Sequence, residues 1–129
     1  MSLPRILIVD DEPSNLRIVQ RFLQDTRYVV TTAGSAKEAF AAIDEQGPFN
    51  LYVLDVMMPE MRGTELADAI RAQQPDALVL YFTAYSDTLF SGTRILRERE
   101  AFIQKPVTKR ELLEAVSLLL FKDLKGPRD

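Results

Sequence analysis

The chain has 129 residues and a mass of 14.7 kDa, the size of one ordinary domain, and it is long enough to bury about two-thirds of the surface its unfolded form exposes. At 47% hydrophobic and 27% charged residues its composition is globular, and a net charge of −3 argues against a general nucleic-acid binder. Cys and His are both absent, which excludes disulfides, zinc knots, thiol nucleophiles, imidazole metal sites and His-based triads, and leaves carboxylates, hydroxyls and amines to do any chemistry.

The opening Met1-Ser2-Leu3-Pro4-Arg5 lacks the apolar core of a signal peptide, and its first three residues also suit an expression scar. No apolar run reaches the roughly 18 residues of a membrane span. A cytoplasmic protein with neither membrane nor direct nucleic-acid contact is expected. Ile6-Leu7-Ile8-Val9 is a short, wholly apolar, β-branched run, as in a strand buried on both faces. Leu16, Val19, Phe22 and Leu23 then repeat at helical spacing, and Tyr28-Val29-Val30-Thr31-Thr32 is strand-like again. Ser35 and Glu38 have the spacing of a capping box and open a second helix through Ala36, Ala39, Phe40 and Ile43. Leu51-Tyr52-Val53-Leu54 reads as the third strand, and Leu66, Ala69 and Ile70 as the third helix. The fourth strand is Leu78-Val79-Leu80-Tyr81-Phe82, followed by a fourth helix over about Asp87 to Arg99. Ala101-Phe102-Ile103 is a short fifth strand. A second capping box, Thr108 with Glu111, opens the final helix through Leu112, Leu113, Val116, Leu119 and Leu120. Leu118 and Phe121 fall beside its main apolar stripe, as a core edge or an exposed patch. Alternating β and α units with short joints predict one α/β domain, a parallel sheet with helices on both faces and functional groups at the carboxyl ends of the strands. The charged tail from Lys122 is expected to fray.

Asp10 and Asp11 stand where the first strand ends, and Asp55 where the third ends. In a doubly wound sheet these strands are often neighbours where strand order reverses, which would bring the three carboxylates together. Such a cluster repels itself unless a cation joins it, and oxygen-only ligation selects a hard ion such as Mg²⁺. Asp10 and Asp11 alone would equally cap the first helix ahead of Pro13; Asp55 tips the balance toward metal. Thr83 follows the fourth strand and Lys105 the fifth. Singly they read as a turn hydroxyl and a solvated amine. Converging on one edge with the carboxylates, they suit a phosphoryl group, with Asp55 as nucleophile at the centre of the set. Pro106 limits Lys105 to extended conformations.

The motifs Ile8-Val9-Asp10-Asp11-Glu12, Asp55-Val56-Met57-Met58-Pro59-Glu60-Met61-Arg62-Gly63, Thr83-Ala84 and Lys105-Pro106, in this order at strand ends, resemble the receiver domain of two-component response regulators across essentially the whole chain. The resemblance implies a single flavodoxin-like, doubly wound (βα)5 domain with a five-stranded parallel sheet in the order 2-1-3-4-5, spanning 4–122 before a tail at 123–129. It implies phosphorylation of Asp55 by a histidine kinase or histidine phosphotransfer protein. In its terms Asp11 binds Mg²⁺ directly, Asp10 mainly through water, and Asp55 and the Met57 carbonyl complete the set. Thr83 and Lys105 would contact the phosphoryl oxygens, assisted by the amides of Met57 and Ala84. Phe102 occupies the place of a switch aromatic, a position that equally suits a core-lining ring. The domain would catalyse its own phosphotransfer and slow autodephosphorylation without being an enzyme on a separate substrate. Its output would run through the fourth helix, fifth strand and final helix, to an output domain or a homodimer. The departure lies at 89–100, where Gly92 and Thr93 replace the usual Ala-rich helix with poor helix formers.

Other readings fare worse. A haloacid-dehalogenase-like phosphohydrolase wants a second Asp two residues after the nucleophile as general acid, and position 57 is Met. A flavodoxin proper would need a phosphate loop after the first strand, where Asp-Asp-Glu-Pro would repel a flavin phosphate. The alternative kept is a phosphorylation-independent, receiver-like binding module, which leaves the intact Asp11, Asp55, Thr83 and Lys105 without a use. The 129 residues themselves include no output domain, so a stand-alone regulator and a receiver from a larger regulator or hybrid kinase are both compatible with them.

Overall fold

The computed structural model describes residues 3–84 and 99–124. Its strands are β1 (Arg5–Val9), β2 (Val29–Ala33), β3 (Leu51–Asp55), β4 (Leu78–Thr83) and β5 (Glu100–Gln104). All pairings are parallel, and the order is β2-β1-β3-β4-β5. This is the flavodoxin-like arrangement expected from the sequence. Central strands β3 and β4 are buried along their whole length, whereas edge strands β2 and β5 are mostly half-buried. That contrast explains why the central runs are continuously apolar while β2 tolerates two threonines.

The helices are α1 (Pro13–Phe22), α2 (Ala36–Gln46), α3 (Gly63–Gln73) and α4 (Lys109–Leu124). Each covers one face of the sheet. Val19 and Leu23 with Leu112, Val116 and Leu120 pack on Ile6, Ile8, Leu51, Val53, Leu80 and Phe82. Ala39, Ala42, Leu66, Ala67 and Ile70 pack on Leu7, Val9, Tyr52, Leu54, Val79 and Tyr81. The pleat therefore sorts alternate strand residues into two cores, and it extends past the strand ends to the site residues. The predicted fourth helix, with Gly92 and Thr93, falls almost wholly outside the described residues, as do residues 125–129 of the tail. No helix among the described residues is long and apolar enough to cross a membrane.

Helix starts follow the local chemistry with one refinement. At α4 the box closes: the Glu111 N–H donates to Thr108 Oγ1 at 3.1 Å and the Thr108 N–H to Glu111 Oε1 at 3.0 Å. At α2 it is half a box, because Ser35 accepts from the Glu38 N–H while the Glu38 carboxylate accepts from the Gly34 N–H instead. Leu118 is 64% exposed and Phe121 40%, so the side stripe of α4 is an exposed patch and not a core edge.

The turn from β3 into α3 depends on Gly63. Its N–H donates to the Val56 carbonyl at 2.9 Å, and a Cβ there would lie 2.1 Å from the Asp55 carbonyl oxygen. Only a bare Cα lets α3 begin against the backbone that carries Asp55. The Arg62 N–H donates to Glu65 Oε1 at 2.9 Å, which secures the first turn beside it. Gly63→Ala should lower the unfolding free energy by about 1–3 kcal/mol in a denaturant melt, because the backbone at Asp55 must shift to admit the methyl group. An unchanged midpoint would show that the turn has room to spare.

Candidate functional site

Asp10 directly follows β1 and Asp55 ends β3, on neighbouring strands at the carboxyl edge of the sheet. Asp10, Asp11 and Asp55 each place a carboxylate oxygen within 4.8 Å of the others'. Asp10 and Asp55 are buried and Asp11 is exposed, so the cluster has a closed floor and an open side. Asp10 also accepts from the Glu12 N–H at 2.9 Å, which shapes the turn into α1. It does not cap the helix itself, whose N-cap is Glu12 without a side-chain bond.

Lys105 closes the set from β5. Its Nζ donates to Asp10 Oδ2 at 2.9 Å and lies 3.4 Å from Asp55 Oδ1. The Lys105 N–H in turn donates to the Thr83 carbonyl at 2.9 Å, so the end of β4 holds the base of this side chain. The Lys105–Pro106 peptide is cis. Thr83 is fully buried and next to the cluster in register, but the pleat sends it and Phe102 to the face opposite Asp55. Phe102 pairs in register with Tyr81 and is half-buried against the core beneath α2 and α3. Met57 is exposed in the loop after β3, and Ala84 is exposed after β4. Two contributors escaped the sequence reading. Gly63 sits inside a quoted motif without a role there. Phe82, read only as the last residue of the fourth strand, brings its ring centroid to 4.7 Å from Lys105 Nζ. Strand alternation hinted at the second, but only the register Asp55↔Phe82 places both on one face.

Burial, and next the charge of Asp10, push the Asp55 carboxyl up to about 6, against the pull of the Lys105 ammonium and the Met57 N–H. Three carboxylates against one ammonium leave excess negative charge on hard oxygen donors, the chemistry of a small divalent cation. The residues present therefore fit Mg²⁺.

The raised Asp55 value also fixes a sign. The native state holds this proton more tightly than the unfolded chain, so the group stabilises the fold below about pH 4, and that contribution is lost as pH rises through about 6. Asp55→Asn has no such loss. In metal-free buffer it should unfold about 1–2 kcal/mol later than the wild type at pH 7.5, with the gap closing toward pH 4. A gap that stays constant across that range would contradict the electrostatic origin of the strain.

A family model for the response regulator receiver domain matches residues 6–117. The chain is 33% identical over 118 residues to the response regulator SaeR of Staphylococcus aureus strain USA300, covering 89% of this chain and 50% of that protein. It thus spans about half the length of the curated relatives it matches. The CheY-like response regulator receiver domain protein of Methanospirillum hungatei JF-1 superposes with a TM-score of 0.81 at 34% identity, over 98% of this chain and 100% of that one. The response regulator TrrA of Thermotoga maritima, solved in complex with Mg²⁺–BeF, gives 0.78 at 33% identity, over 92% of this chain and 100% of that one. The chain belongs to the response regulator receiver domain family and is the receiver domain of a two-component response regulator.

Proposed function

We propose that Asp55 is the phosphoacceptor of this receiver, charged by a histidine kinase or histidine phosphotransfer protein in a Mg²⁺-dependent reaction. The observation that carries this reading is the convergence of three carboxylates and one ammonium at the carboxyl edge of the sheet. The Mg²⁺–BeF complex of TrrA, at 33% identity, supports the same chemistry here.

In this reading Asp10, Asp11, Asp55 and the Met57 carbonyl hold the ion. Bound Mg²⁺ supplies the positive charge that lets an anionic donor approach an anionic nucleophile. An Asp55 oxygen forms its bond to phosphorus as the phosphorus–nitrogen bond of the donor breaks, and the imidazole leaves with the electron pair. The Lys105 ammonium, already 3.4 Å from Asp55, shifts from balancing carboxylates to balancing phosphoryl oxygens. The Thr83 hydroxyl turns toward the phosphoryl group, the Met57 and Ala84 amides donate to it, and Phe102 follows into the space Thr83 leaves. Slow attack by water on the same phosphorus breaks its bond to the Asp55 oxygen, releasing inorganic phosphate and restoring the carboxylate.

The receiver occupies residues 4–122, with 123–129 as a tail, and works in the cytoplasm without direct nucleic-acid or membrane contact. Its output is the surface of the predicted fourth helix, β5 and α4. The exposed Leu118 and Phe121 make α4 suitable for an output domain or a second copy.

Incubation with acetyl phosphate or phosphorylated kinase tests the assignment. Wild type with Mg²⁺ should take up acid-labile phosphate, and Asp55→Asn should lose at least about 100-fold of that labelling, since an amide cannot attack phosphorus as a carboxylate does. Excess chelator should suppress labelling of the wild type to a similar degree. Undiminished labelling of the Asn variant, or full labelling in chelator, would sink the assignment.

A further inference from the structure

We infer that Phe82 is a positioning residue for Lys105: its buried ring holds the ammonium on one side of the carboxylate cluster, facing the phosphorylation site, through a cation–π contact. The inference rests on the role proposed for Lys105 above and adds a residue to it.

Alternation places the groups involved. Asp10 continues the face of Ile6 and Ile8, Asp55 that of Leu51 and Val53, Phe82 that of Leu80, and Lys105 that of Ala101 and Ile103. Phe82 is the register partner of Asp55 on one side and of Ile103 on the other. Its ring therefore stands between the nucleophile's strand and the strand that delivers the lysine. The ring is 1% exposed, and Lys105 Nζ lies 4.7 Å from its centroid. A cation over a desolvated aromatic face is held more strongly than one at an exposed face, because little water competes for it.

The ammonium's other contacts explain why such a hold is useful. It pairs with Asp10 at 2.9 Å and Asp55 at 3.4 Å, whereas Asp11 has no ion pair among the described residues. The charge thus sits away from Asp11, toward the ring. Both paired carboxylates are taken up by metal and phosphorus during the proposed reaction, and the ring is not. A lysine has four side-chain torsions to order, and ordering them carries an entropic cost that a standing contact reduces. Phe82 restrains the ammonium throughout, in the resting and reacting states alike. A cavity of roughly 310 Å³ is lined by Phe82, Lys105, Ile18 and Val107 among others.

The test is made on the full chain with three changes at position 82. Phe82→Tyr keeps the π-face, Phe82→Leu removes it, and pentafluorophenylalanine keeps the shape and apolarity while inverting the ring's quadrupole. In metal-free wild type the Lys105 ε-methylene protons should resonate upfield of those of the other lysines, shifted by the ring. That signature should survive in the Tyr variant and be lost in the Leu and fluorinated variants. Phosphorylation by acetyl phosphate should slow about three- to tenfold in the latter two and recover with Tyr. If the Leu variant does not fold, the fluorinated protein decides alone, since a purely structural ring would leave it unaffected. Wild-type resonances and rates in the fluorinated protein would overturn the role of Phe82. Failure of the wild type to phosphorylate would instead overturn the phosphoacceptor reading, while the resonances still report whether the ring holds the lysine.

Discussion

Two buried carboxylates side by side are unstable without a counter-charge, and the Lys105 ammonium supplies it by bridging Asp10 and Asp55. Much of the fold serves to create and bound that arrangement. The strand order sets β1 beside β3, which brings Asp10 and Asp55 together. The position of β5 beyond β4 lets a long side chain reach back across Phe82 to both. Lysine balances the pair only in part: burial, and next the charge of Asp10, still hold the Asp55 carboxyl near 6. A site kept electrostatically incomplete gains more from a dication that completes it than a fully neutralised site would.

The surroundings are built to keep this site in place. Gly63 lets α3 start directly against the Asp55 backbone, and Thr83 secures the Lys105 N–H through its carbonyl. At the opposite end of the sheet the Tyr52 hydroxyl donates to Gln74 at 2.6 Å and accepts from the Phe49 N–H, while Arg71 pairs with the buried Glu100 at the start of β5. These polar contacts satisfy buried groups far from the carboxyl edge and tie β3 and β5 to α3 and the segment that follows it. The site can therefore be strained while the scaffold beneath it is well satisfied.

Much of this was legible in the sequence because the fold is regular. Continuous apolar runs and helical repeats announced the five strands and the four described helices, and the parallel sheet followed from the alternation. The carboxylates and Lys105 were found because they lie at strand ends, where such sheets gather function. What was not legible depends on register and on close approach. Nothing in the composition of β4 distinguishes Phe82 from its apolar neighbours until its pairing with Asp55 is known. Gly63 looks like an ordinary turn glycine until the 2.1 Å clash of a Cβ with the Asp55 carbonyl is seen. Thr83 and Lys105 lie at the ends of neighbouring strands, as the spacing suggests, but the bond from the Lys105 N–H to the Thr83 carbonyl depends on register and has no mark in the sequence. Leu118 and Phe121 fit helical spacing whether buried or exposed, and only the packing of α4 decided for exposure.

The most direct test of the central claim, that this carboxylate–ammonium cluster is completed by a dication and a phosphoryl group together, is calorimetric titration with beryllofluoride in the presence and absence of Mg²⁺. The account predicts weak binding of Mg²⁺ alone and saturable, one-to-one binding of beryllofluoride only when Mg²⁺ is present. Beryllofluoride that binds equally well in excess chelator, or not at all with Mg²⁺ supplied, would contradict it.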